Sequence, residues 1–286
     1  VMALHRKRVV RAPASSANLG AGYDVLAVSL SPVLELEVEE TGAFSVEADL
    51  PDVPLDRTNL CVQAFERLHP ADRFAFRIRS QIPPAAGLGS SAAAIVAGLA
   101  AADHMFELDA DLFALATEIE GHPDNVAAAV YGGFVVCGPE RVARIAPPPE
   151  LEAVIAIPPQ TVPTAAARRA IPAEIPLADC VHNIAATAQL VLGLERGDLS
   201  LVAAALADRI HQPRRQHLYP RSLELVAAAR TLGALGATIS GAGPTVLLWC
   251  EWQQTGRVVE RARARFPDFD VRRVNFSDHG VDVRAL

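Results

Sequence analysis

Lysine is the residue this chain most conspicuously lacks. Of its 26 basic residues only Lys7 is a lysine, close to the N-terminal edge of the 286 residues. That excludes a Walker-type lysine, a Schiff-base lysine and a lysine general base from the body of the chain. Blocks of positive charge are missing too. With a net charge of −7 and aromatics at only 5%, an extended nucleic-acid surface is disfavoured. No uninterrupted apolar run reaches the roughly 18 residues that span a bilayer, because Asp103 and His104 break the best stretch after Leu99. The opening VMALHRKRVV is basic but leads into no apolar leader or cleavage site, so a cytoplasmic protein with no membrane partner is expected. The four cysteines, Cys61, Cys137, Cys180 and Cys250, follow no CxxC spacing. They read as buried free thiols, without a zinc or disulfide framework.

What the chain has in quantity is small aliphatic material. Hydrophobic residues make up 51% of it, enough for a core packed by Ala, Val and Leu, and its length suits two domains. Strand patterns occupy 7–15, 31–40 and 74–80, the last with Phe74, Phe76 and Ile78 on one face. Helical patterns occupy 59–68, 91–106 and 111–120, before a glycine-led strand at YGGFVVCG. The proline run at 146–149 divides the chain into 1–148 and 149–286. In the second part, LEAVIAIPP, GATIS, TVLLWC and FDVRRVNF read as strands, with helices at 180–195, 199–211, 222–232 and 255–266. The strand-turn-strand-helix-strand ending describes a small α+β sandwich.

Three loops of small residues stand out. In PPAAGLGSSAAA, Pro84, Gly87 and Gly89 precede a helix whose first amides, from Leu88 through Ser90 and Ser91 to Ala92, converge on one point. Unpaired amides at the positive end of a helix dipole suit an anion, most naturally phosphate. Neither a Walker A nor a Rossmann pattern fits, and a glycine turn with a serine N-cap is the plain alternative. SGAGPT, with Gly241 and Gly243, lies between two strands as a hairpin turn would. PASSANLGAGYD gathers Asn18, two glycines and Asp24 ahead of a strand.

In this order the three loops resemble the GHMP kinases, a family whose motifs they match across almost the whole chain. The resemblance implies a two-domain α+β fold: a ribosomal protein S5 domain 2-like N-terminal domain binding ATP, and a ferredoxin-like C-terminal domain. Within the family, EGHPDNVAAAVYGG, TVPTAAARRAIP and DRIHQPRRQHLYP are similar to segments of its homoserine kinase branch. L-homoserine would then be the acceptor, with Asn18 and Asp24 near its amino group, Arg168 and Arg215 on its carboxylate, and His122 and Gly241 nearby. Guanidinium forks suit a carboxylate because they bind it bidentately. Arg169 or Arg214 takes the role if the register slips by one. Glu118 and Ser91 match the Mg2+ ligands, Glu120 being the competing acid. Thr58 and Asn59 match positions near the nucleotide. Asn125 stands where relatives place a catalytic aspartate, and would orient the substrate hydroxyl; adjacent Asp124 stays open as a base. Ala27 replaces a glycine common in the first motif. Relatives of this type are usually homodimers. The rival readings are a GHMP kinase for another small alcohol, and a regulator that kept the fold and lost catalysis.

Overall fold

The computed structural model describes residues 6–50 and 53–286; the first five residues, part of the stretch read above for a leader, lie outside it. The first half runs β1 (Lys7–Ala17), β2 (Leu26–Glu40), β3 (Ser45–Ala48), α1 (Leu60–Glu66), β4 (Phe74–Ser80), α2 (Ser90–Phe106), α3 (Leu112–Glu120), α4 (Asp124–Tyr131), β5 (Phe134–Cys137) and β6 (Val142–Ile145). Long β1 and β2 pair antiparallel from Lys7↔Glu39 to Ala17↔Ala27, with a register slip after Pro13. Pro13 has no N–H to give the ladder, so a slip there leaves no donor stranded. On its other side β2 pairs with β4, to which β3 adds in parallel. Lys7, at the first position of β1, is anchored by Glu37, 3.1 Å away.

Alternation makes β4 a strand: Phe74, Phe76 and Ile78 are buried and pack the face that α1 and α2 cover. Helix α2 is apolar on nearly every side and runs through the centre of this half, against β1, β2, α1, α3 and α4. Gly98 lets α1 come close, since a Cβ there would collide with the Cys61 carbonyl.

The second half contains β7 (Leu151–Ile157), α5 (Thr164–Arg169), α6 (Leu177–Arg196), α7 (Leu199–Ala205), α8 (Pro220–Leu232), β8 (Gly236–Ile239), β9 (Val246–Glu251), α9 (Thr255–Arg265), β10 (Asp270–Val274) and β11 (Asp282–Ala285). Its antiparallel sheet has the order β10-β7-β9-β8, which is the ferredoxin-like arrangement, with α8 and α9 against it. One strand crosses the expected boundary at residue 148. Strand β11 leaves this sheet and pairs with β1. The two sheets also share a core, where Trp249 of β9 stacks on Phe134 of β5 at 5.8 Å and meets Phe276 at 5.5 Å.

A helix read over 199–211 stops at Ala205. Asp208 ends it: its carboxylate accepts from the backbone N–H groups of Ile210, His211 and Gln212, turning the chain inward. Helices α4 and α5 went unread, each being short and embedded in a motif. Helix α6 is the one described helix long and apolar enough to cross a membrane by length and composition. One face of it buries Asn183, Ala186, Leu190 and Leu194 within the fold.

Candidate active site

The three loops of small residues, far apart in sequence, are stitched into one cleft between the sheets. Gly241 N–H donates to the Ala17 carbonyl at 3.0 Å, and the Asn18 side-chain amide donates to the Gly241 carbonyl at 2.8 Å. Ser240 Oγ donates to the Gly87 carbonyl at 2.7 Å, while Ser15 N–H donates to the Leu88 carbonyl at 3.1 Å. Glycine is required at two of these crossings. Gly87 has φ +78° and a Cβ there would lie 2.5 Å from the Ser240 carbonyl; Gly89 has φ +67° and its Cβ would strike Ser15 Oγ.

Gly89 is the N-cap of α2 and brings no side-chain hydrogen bond to the first turn. Ser90 is the first helical residue and leaves the end uncapped. The amides of that turn therefore face the cleft with the helix dipole behind them, a geometry that favours an anion. Ser90, Ser91, Leu88, Gly87 and Gly89 line the cleft here, and Gly241 closes it from the far side. Ala92 contributes as part of the first turn; its side chain is fully buried. Gly243 does not line the cleft but packs on Tyr219, where any Cβ would lie 2.6 Å from the ring.

A second, largely apolar chamber opens on the other side of Ser90 and Ser91, lined by Thr58, Asn59, Pro84, Leu34, Ile82 and Ala94. Asn59 shapes it rather than presenting a free group. Its side chain caps α1 by accepting from Cys61 N–H at 2.9 Å and donates to the Pro54 carbonyl at 2.8 Å.

The two candidate acids, Glu118 and Glu120, face different ways. Glu118 is 65% exposed and pairs with Arg67 at 2.9 Å, outside the cleft. Residues two apart on a helix point about 200° apart, so the acid facing the cleft is Glu120, which accepts from Ser91 Oγ at 2.6 Å. Gly121, at φ +85°, then turns the chain back so that His122 and Asp124 fall beside it. Burial pushes the Glu120 carboxyl above its usual range, against the opposing pull of Ser91 and His122. His122 Nδ1 lies 3.0 Å from Asp124 Oδ1, and this hydrogen bond raises the imidazole's affinity for its proton despite burial.

Asp124 and Asn125 open α4. Asp124 is buried and also accepts from Asn125 N–H at 2.7 Å, while Asn125 Oδ1 accepts from Ser15 Oγ at 2.8 Å. With its oxygen so occupied, the Asn125 side chain has its NH2 left for a ligand.

Opposite stands the charged wall. Arg168, from α5, grips Asp24 with two parallel bonds of 3.0 and 2.9 Å. Asn18 holds Asp24 in place by accepting its backbone N–H at 3.0 Å, so Asn18 positions the acid. Arg215 is 1% exposed and lines the same cleft. Its Nε donates to the Ala167 carbonyl at 2.9 Å and one terminal nitrogen to the Gly241 carbonyl at 3.3 Å. Among the described residues no carboxylate stands within ion-pair distance of it. Arg169 lies outside the cleft, and Arg214 pairs with Asp179 at 3.3 Å instead.

Sequence reasoning passed over Tyr23, whose ring lies 5.9 Å from the Arg168 guanidinium carbon and 5.5 Å from that of Arg215. It also passed over His211 and Asp208, whose signal was the clustering of DRIHQPRR around Arg215.

Comparison with known proteins places this geometry among kinases. A family profile described as the GHMP kinases N terminal domain matches residues 59–133, and one described as GHMP kinases C terminal matches 190–268. A homoserine kinase of Thermus thermophilus is 42% identical over 246 residues, covering 82% of this chain and 84% of the relative. One of Moorella thermoacetica is 38% identical over 262 residues, covering 86% and 88%. The crystal structure of homoserine kinase from Cytophaga hutchinsonii superimposes with a TM-score of 0.88 over 99% of both chains at 28% identity.

Proposed function

Because this chain belongs to the GHMP kinase family, and is thus an ATP-dependent small-molecule kinase, we propose that its acceptor is L-homoserine. The reaction transfers the γ-phosphoryl group to the side-chain hydroxyl, giving O-phospho-L-homoserine for threonine synthesis. The observation that carries this reading is Arg215: a guanidinium 1% exposed, facing the cleft, with no carboxylate within ion-pair distance among the described residues. A buried charge left so is costly, and a ligand carboxylate supplies the missing partner. Asp24 and Arg168 beside it form a couple of opposite charges, the complement of a zwitterion. An amino acid satisfies all three groups. Mevalonate lacks the ammonium, and galactose lacks both charges.

The nucleotide takes the other end, with its phosphates at the first turn of α2 and its base in the chamber beside Thr58, Asn59 and Pro84. Ser91 Oγ and the Glu120 carboxylate, 2.6 Å apart, offer two hard oxygen ligands at that turn. No group of three His, Cys, Asp or Glu able to hold a metal occurs among the described residues. That sparse set suits Mg2+, which takes its remaining ligands from phosphate and water. When bound, the ion neutralises charge on the phosphates. Ser91 and Glu120 are therefore the proposed metal ligands.

Asn125 donates its NH2 to the acceptor hydroxyl, fixing the oxygen in line while its proton passes toward the phosphoryl oxygens. Asp124 orients His122 and the Asn125 backbone. A loose transition state tolerates the lack of a dedicated base, since little bond to the attacking oxygen has formed there and the proton leaves only afterwards, as that bond completes. The reaction runs in the cytoplasm, where ATP and free amino acids are supplied. We also infer a homodimer, supported by Leu177, Val181 and Ile184, a stripe on α6 that is 79%, 56% and 70% exposed. Light scattering showing only monomer at micromolar concentration would remove that inference.

The test is ADP release with ATP and Mg2+ against L-homoserine, mevalonate, galactose and L-serine. Selective turnover of L-homoserine supports the reading. Turnover of another alcohol alone overturns the substrate, and silence on all four favours a regulator.

A further inference from the structure

Among the remaining buried groups, one has partners that dictate its chemical form. His211 is fully buried. Its Nε2 lies 2.8 Å from the Gly20 carbonyl, which can only accept, so Nε2 carries the proton. Its Nδ1 lies 3.2 Å from a terminal nitrogen of Arg215, which can only donate, so Nδ1 carries a lone pair. Both contacts are satisfied together by one species alone, the neutral Nε2–H tautomer.

We propose that His211 is the positioning residue for Arg215: the neutral ring accepts one guanidinium N–H and so aims the remaining donors at the substrate carboxylate. This rests on the assignment of that carboxylate above. The support behind His211 is continuous. Asp208, with no exposed side-chain surface, accepts from the backbone N–H of His211 at 3.0 Å and stands 3.5 Å from Nε2. Tyr23 packs on the ring, centroids 5.6 Å apart, and lies under Arg215 at 5.5 Å. The charged and titratable groups facing His211 are thus Asp208 and Arg215, with Asp24 and Tyr23 beyond. Burial is the main influence holding the ring neutral, with Arg215 acting in the same direction and Asp208 and Asp24 opposing.

Two variants separate the ring's two contacts. His211→Asn keeps an acceptor near the Nδ1 position and loses the bond to Gly20; His211→Gln reaches toward Gly20 and leaves Arg215 without its acceptor. Each is assayed on L-homoserine and on 3-aminopropan-1-ol, the same alcohol and amine without the carboxylate. The expectation for His211→Gln is a KM for L-homoserine raised about tenfold or more, with KM for ATP unchanged and the amino alcohol used as by wild type. His211→Asn stays within about threefold of wild type on L-homoserine, a smaller loss because the charged hydrogen bond is kept. Equal losses in both variants, or losses on both substrates alike, overturn the proposal. Should neither variant fold, ring nitrogen shifts of wild-type protein at neutral pH decide it: the Nε2–H tautomer supports the proposal, and an imidazolium or Nδ1–H tautomer contradicts it. Wild-type silence toward L-homoserine is a separate result. It overturns the functional reading and this inference with it.

Discussion

In the proposed function, the two ends of the cleft solve the problem of binding negative charge in opposite ways. At the phosphate end the donors are backbone amides, placed by Gly87, Gly89 and the uncapped start of α2, with Lys7 remote in the outer sheet. At the substrate end the donors are guanidinium groups from α5 and from the turn before α8, held by Asp24, His211 and two carbonyls. Backbone donors lie where the fold lies and cannot be removed by a side-chain change, whereas side-chain donors can be chosen to fit one ligand. The first arrangement suits a cofactor common to a family, and the second suits a particular acceptor.

The sharpest way to break that contrast is to disturb the backbone end. Gly89→Ala puts a Cβ onto Ser15 Oγ at a φ of +67°. Strain of this kind costs about 1–3 kcal/mol and displaces the amides as well, so kcat/KM for ATP falls by roughly a hundredfold or more. Circular dichroism checks that the protein stays folded. Next comes the acid. Glu120→Gln lowers kcat roughly a hundredfold if the metal is held there, whereas exposed Glu118→Gln, which loses one surface ion pair, stays within about twofold. At the substrate end, Arg168→Lys keeps charge but loses the two-pronged grip on Asp24. It raises KM for L-homoserine by about tenfold and leaves KM for ATP in place.

The smallest expected effect is on stability against pH. His122 takes up its proton more readily in the fold, chiefly through Asp124, and burial favours the protonated form of Glu120. Both shifts are upward. The Glu120 contribution is complete only below the ordinary carboxylate range and fades as pH rises through its own raised value, whereas that of His122 is complete below the ordinary histidine range and fades as pH rises through the raised His122 value. Melting of ligand-free protein drops by about 2 °C across that window, and His122→Gln flattens the drop.

Much of the phosphate end was legible because its signal is local. Glycine and serine ahead of an alanine-rich helix specify backbone geometry within a dozen residues, and the helix ends were met to within a residue. The substrate end was legible only through motif resemblance. Arg168, Arg215 and Asp24 are drawn together by long-range folding, and nothing near Arg215 in sequence shows that its charge lies buried. The preference for Glu118 over Glu120 came from motif spacing, which counts residues while the helix rotates them; the exposed face Glu118 occupies follows from the turn of α3. The helix over 199–211 was overextended because helical periodicity outran Asp208, whose capping of three amides depends on the buried place that Asn183 helps to fix. Strand β11 escaped because pairing with β1 is a property of the whole fold.

The most direct test of the division between the two ends is steady-state kinetics of Arg215→Gln, varying ATP and L-homoserine in turn. The account predicts a KM for L-homoserine raised by about a hundredfold, the scale of a charged pair lost from a buried site, with KM for ATP within about twofold of wild type. Equal rises in both constants, or a change confined to ATP, would contradict it.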